Sequence, residues 1–116
     1  NYEPKMNLNI AISYGGRWDI VQAIKEISKD LLQKKIKEKN INEDLLSSYL
    51  DTSNFPDPDL VIRTGNEKRL SNFLIWQAAY SELIFLKKLW PDFKNIDFKR
   101  ALDEYKRRKR NFGLRS

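Results

Sequence analysis

Two arginines and a serine stand close together in the stretch Asp59 to Glu82, DLVIRTGNEKRLSNFLIWQAAYSE, which ends on a carboxylate. Arg63 and Arg69 can each fork onto phosphate oxygens as bidentate donors, which lysine cannot do, and Ser71 adds a hydroxyl. A diphosphate suits this set better than a carboxylate, because it has enough oxygens to occupy both guanidinium groups. The alternative is that Arg63 and Arg69 form ordinary surface ion pairs with Asp59 and Glu67. Position favours the site. Arg63 closes the apolar run Leu60-Val61-Ile62, which reads as a buried strand, and open α/β sheets bind ligands just past the carboxyl ends of their strands.

The elements around this stretch must hold it in place. Gly65 and Asn66 both tolerate positive φ and end the strand cheaply. Ser71-Asn72 is an N-cap signal for a helix over Phe73 to Tyr80. Only Gln77 is strongly polar there, so such a helix is expected to be buried all round. Its start would offer unpaired N–H groups and the positive end of a dipole to an anion.

Upstream, Met6, Leu8, Ile10 and Ile12 alternate with Asn7, Asn9, Ala11 and Ser13, the period of a strand with one apolar face. Gly15-Gly16 ends it. The pair fits either a plain turn or a close backbone approach, and as a phosphate loop it matches neither common pattern. Ile20, Ile24, Ile27 and Leu31 mark a helix from Trp18 to about Lys39, lysine-rich in its last turns. Asn42 to Leu50 reads as a short helix with Asn42 as its cap, and Asp51 to Pro58 as a loop. Downstream of the central stretch, Leu83 to Leu86 is a further short strand, which puts Glu82 near a strand end. Pro91 breaks Leu89 to Phe93. Asp97 can cap a last helix with Phe98, Ala101, Leu102 and Tyr105 as its apolar stripe. The order of elements is that of an α/β fold, a mainly parallel central sheet with flanking helices.

Composition narrows the chemistry. A chain of 116 residues is at most one domain, and 41% hydrophobic residues mark it as folding. No apolar run is long enough to cross a bilayer, and no signal-peptide pattern is present. Without cysteine or histidine there is no thiolate chemistry and no Ser-His-Asp triad. Carboxylates are left as the expected metal ligands, which suits Mg2+. The net charge of +6 arises entirely within Lys94 to Ser116. The chain opens on Asn1, with its only methionine at Met6, and is expected to be a piece of a longer protein.

With these residues in hand a resemblance emerges. IRTGNEKRLSNFLIWQAAYSEL resembles the signature of the cis-prenyltransferases, most like bacterial undecaprenyl diphosphate synthase. LNIAISYGGRWDI, LWPDF and KRNFG are similar to further blocks of that family, in the same order. The resemblance covers essentially the whole chain and corresponds to the C-terminal portion of a single cis-prenyltransferase domain. It implies a Mg2+-dependent transferase that adds isopentenyl diphosphate to an allylic primer such as farnesyl diphosphate. The product would be a long polyprenyl diphosphate, undecaprenyl diphosphate, the lipid carrier of cell-wall synthesis.

Carried over residue by residue, Arg63, Arg69 and Ser71 match the positions that hold the diphosphate of isopentenyl diphosphate. Glu82 matches the carboxylate associated with magnesium across the interface of a homodimer. Met6 and Leu8 match the strand that reaches the product tunnel, and Asp19 matches an acidic position of the double-glycine block. The family's location implies a cytoplasmic enzyme with peripheral membrane contact. Asn66 stands where the family has a second glycine, Ser13 where it has an asparagine, and Asn111 where it has the arginine of a terminal Arg-x-Gly pattern, with Arg110 or Arg115 as substitutes. The family's Asp-Gly-Asn-Gly-Arg loop for the primer diphosphate is absent from these residues, so catalytic residues are not assigned and this piece alone is expected not to turn over.

Two other functions compete. A non-catalytic partner subunit of a cis-prenyltransferase would share the fold, but retention of both arginines, Ser71 and Glu82 argues against it. A nucleic-acid-binding module is suggested by the basic run Lys106 to Arg110, yet that run has no interleaved stacking aromatics and leaves the arginine-serine loop without a purpose. The expectation is therefore no nucleic-acid partner.

Overall fold

The computed structural model describes Glu3 and residues 5–108. At its centre two short strands, β1 (Leu60–Arg63) and β2 (Glu82–Phe85), run parallel with Leu60 opposite Glu82 and Arg63 opposite Phe85. Parallel neighbours need a long crossover, and residues 64–81 supply it. Helix α1 (Gly16–Leu32) packs on α2 (Glu43–Tyr49), and α3 (Asn95–Arg107) closes the described chain. A mixed α/β architecture with a parallel sheet is thus borne out.

Several local expectations hold. Asn42 caps α2, its Oδ1 accepting from the Leu45 amide at 2.8 Å. Gly65 and Asn66 both adopt positive φ, at 97° and 61°. Their amides donate to Lys88 and Leu86 carbonyls at 2.8 and 2.9 Å, so the turn stays stitched to the end of β2. Asp97 does cap α3, although from inside the first turn: its Oδ2 accepts from the Lys94 amide at 2.9 Å and meets Lys88 Nζ at 3.1 Å. These bonds hold its carboxyl below the usual range, the Lys94 amide contributing most.

Others are corrected. Residues 6–12 form no strand, because β1 and β2 bond only each other among the described residues and a strand exists through a bonded neighbour. Met6, Leu8, Ile10 and Ile12 are all at least 76% exposed. Helix α1 stops at Leu32 rather than near Lys39. The Lys35 amide reaches back to Asp30 O at 2.9 Å and the Lys34 amide to Leu31 O at 3.1 Å. With Lys34 at φ 60° this is a Schellman stop in which lysine takes the position usually given to glycine. Its buried face carries Asp19, Ala23 and Ile27, with Ile24 half exposed.

Phe73 to Tyr80 is a run of turns and not a helix. An N-cap residue needs extended backbone, whereas Ser71, Asn72 and Leu74 adopt φ of 49°, 67° and 49°. Long-range bonds fix the irregular path instead: Trp76 Nε1 donates to Ser47 Oγ and Gln77 Nε2 to Thr52 Oγ1, both at 2.9 Å. Only Gln77 and Ala78 of this segment are buried.

Candidate diphosphate site

Arg63 is delivered by the last position of β1, and the loop that follows folds back over it. Its Nη1 donates to the carbonyl of Arg69 and to Ser71 Oγ, the latter at 2.8 Å. The structure therefore brings Arg63, Arg69 and Ser71 together. They border a cavity of about 300 Å3 whose floor is Val61, Ile62, Leu70 and Phe73. Arg63 acts as a strut that shapes the loop, while the Arg69 side chain is 71% exposed.

Glu67 sits between the two guanidinium groups, 3.7 Å from Arg63 Nη2 and 3.2 Å from Arg69 Nε. The surface-pair alternative is thus partly realised, through Glu67. Exposed pairs of this kind contribute roughly 0–1 kcal/mol, whereas hydrogen bonds to a charged group are worth about 1.5–3 kcal/mol. A phosphate displaces such a pairing at little cost.

The double glycine proves to be a close approach. The Gly16 amide donates to Asn72 O at 2.7 Å, and the Arg17 amide donates to Asn72 Oδ1 at 2.8 Å. A Cβ on Gly16 would meet Ile75 Cγ1 at 2.9 Å and Asn72 O at 3.0 Å. The first amides of α1 are therefore consumed by the protein, and they are not offered to an anion. Asp19, one turn further on, is 2% exposed and accepts from the Asp51 amide at 3.1 Å. Burial pushes its carboxyl above the usual range, only partly offset by that bond. It braces the junction of α1 with the loop after α2.

Glu82 lies at the opposite end of the sheet. It pairs with Leu60, three residues from Arg63 along β1, a separation of about 10 Å. Arg108 holds it there: Nη1 donates to Glu82 Oε2 at 3.2 Å and to Leu83 O at 2.8 Å, and Nε reaches Glu104 at 3.4 Å. No local sequence signal links Arg108 to Glu82, 26 residues away. No group of three metal-binding side chains occurs among the described residues. A lone carboxylate fits one mode of magnesium binding only, in which one or two carboxylates complete a shell built on substrate phosphates.

Met6 and Leu8 are exposed. Ile10 and Ile12 of the same segment line a larger cavity of about 560 Å3 with Trp18, Phe55, Phe73 and Leu74. Arg110, Asn111 and Arg115 lie outside the described residues. No helix among the described residues is long and apolar enough to cross a membrane.

These features define an α/β chain with a cationic loop just past the carboxyl end of a parallel strand. The family model described as "Putative undecaprenyl diphosphate synthase" matches residues 1–113, and the chain belongs to that family. The tritrans,polycis-undecaprenyl-diphosphate synthase (geranylgeranyl-diphosphate specific) of Picrophilus torridus is 55% identical over 105 residues, 90% of this chain and 41% of that protein. The ditrans,polycis-undecaprenyl-diphosphate synthase ((2E,6E)-farnesyl-diphosphate specific) of Blochmanniella floridana is 52% identical over 108 residues, 93% of this chain and 43% of that protein. The crystal structure of lavandulyl diphosphate synthase from Lavandula x intermedia, in complex with dimethylallyl diphosphate, matches with a TM-score of 0.85 and 41% identity over 89% of this chain and 44% of that one. The chain spans less than half the length of these relatives.

Proposed function

We propose that this chain is the C-terminal portion of the single catalytic domain of a cis-polyprenyl diphosphate synthase. The whole protein condenses isopentenyl diphosphate with an allylic diphosphate, farnesyl diphosphate as primer, to build undecaprenyl diphosphate. The observation that carries this reading is the loop in which Arg63 clamps Ser71 and the Arg69 backbone, leaving the Arg69 side chain exposed beside a cavity at the strand end.

In this role the loop holds the diphosphate of the nucleophilic substrate. Arg69 and Ser71 fix the anion and Arg63 fixes the loop, so that the double bond of the isopentenyl group is aimed at the allylic carbon. Such positioning supplies a large part of a barrier reduction. Magnesium, when bound, neutralises charge on the diphosphate oxygens. Glu82 would hold it in this chain, and because Glu82 sits at the far end of the sheet from Arg63 we assign it to the site of the second subunit of a homodimer. Met6 and Leu8 border the path of the growing chain. Peripheral contact of the whole protein with a membrane surface belongs to the same reading.

The test is Arg69→Ala in the whole protein. KM for isopentenyl diphosphate is expected to rise about ten- to a hundredfold, with a slower rate, for the loss of a charge-assisted contact. Unchanged kinetics would remove Arg69 from the site.

A further inference from the structure

Helix α1 cannot cap itself, because its N-cap is Gly15 and no side chain of its own reaches the first-turn amides. Asn72 does this from 55 residues away: its backbone carbonyl takes the Gly16 amide and its side-chain Oδ1 takes the Arg17 amide. The two contacts grip two successive amides of a 17-residue helix. Asn72 is also the immediate neighbour of Ser71, and both residues adopt left-handed backbone, which costs about 1 kcal/mol or more at serine and less at asparagine. Such a conformation persists only where its surroundings hold it. The grip on α1 holds it from one side, and Arg63 on Ser71 Oγ from the other.

We infer that Asn72 is a positioning residue for the diphosphate loop, anchoring the left-handed Ser71 to the first turn of α1 so that its hydroxyl stays within reach of Arg63 and of a bound diphosphate. This rests on the function proposed above. It also accounts for the glycine at residue 16, where Ile75 and the Asn72 carbonyl leave no room for a side chain. Asn72 serves the site without touching the reacting atoms.

Two substitutions in the whole protein separate this role from mere stability. Asn72→Gly tolerates the left-handed backbone and keeps the carbonyl that takes the Gly16 amide, so it removes only the side-chain cap. Asn72→Asp restores an Oδ1 acceptor for the Arg17 amide. Asn72→Gly should raise KM for isopentenyl diphosphate and weaken inorganic pyrophosphate binding by about twofold to tenfold, the size of one lost hydrogen bond. kcat should change less than KM, and amide exchange at Arg17 should accelerate. Asn72→Asp should recover most of the loss.

A glycine variant with a lower melting temperature but unchanged KM and pyrophosphate affinity overturns the inference. So does an aspartate variant as impaired as the glycine one. If Arg69→Ala leaves pyrophosphate affinity unchanged, the site assignment itself falls. If Arg69→Ala weakens binding and Asn72→Gly does not, only the role of Asn72 falls.

Discussion

Glu67 touches both guanidinium groups of the loop, yet it is itself half exposed. A carboxylate so placed competes with any anionic ligand for the same donors. Replacing it with glutamine removes the competing charge and keeps the shape. Glu67→Gln should lower KM for isopentenyl diphosphate about two- to fivefold, in line with the small energy of exposed pairs. The gain should shrink as salt screens the loop. A higher KM would show instead that Glu67 orients the arginines. That Arg63, Arg69 and Ser71 stand together past a strand end was legible from residue types and their order. What residue types did not disclose was the division of labour, in which Arg63 spends Nη1 on its own loop and Arg69 remains exposed. That division depends on where the backbone of residues 69–71 turns.

At the scale of elements, the close approach of α1 to the turn segment makes Gly16 and Gly15 unequal. A methyl group on Gly16 would meet Ile75 Cγ1 at 2.9 Å and the Asn72 backbone carbonyl at 3.0 Å, while one on Gly15 would meet side-chain atoms, Asn72 Nδ2 at 3.1 Å and Trp18 Cβ at 3.8 Å. Gly16→Ala should therefore cost about 1–3 kcal/mol as an overpacking change, and Gly15→Ala clearly less. Equal melting temperatures for the two variants would contradict the packing described. Elements specified by local signals were readable in advance: α2 from its Asn42 cap, the turn at Gly65-Asn66, and β1 and β2 from short apolar runs. Those specified by distant partners were not. Residues 6–12 alternate as a strand does but find no ladder among the described residues. Phe73 to Tyr80 has the composition of a buried helix, but bonds from Trp76 and Gln77 to residues 47 and 52 hold it in turns. Lys34 ends α1 by adopting a conformation its side chain does not announce.

For the whole molecule, the described residues bury few apolar side chains, none of them large and fully enclosed. Met6, Leu8, Ile10, Ile12, Leu32 and Trp90 are each at least 72% exposed. Apolar surface on that scale is what partner elements cover. Arg63 and Glu82 stand at the two ends of the sheet, which is the basis of the homodimer proposed above. In genetic terms this makes the loop of Arg63 and Arg69 separable from Glu82. An allele carrying Arg69→Ala and an allele carrying Glu82→Ala should each be severely impaired alone at limiting isopentenyl diphosphate, yet co-expression should restore activity. In a symmetric dimer, half of the randomly paired molecules would combine one of each chain, and one of their two sites would receive both intact residues. About a quarter of wild-type activity should return. No recovery would mean that each chain completes its own site.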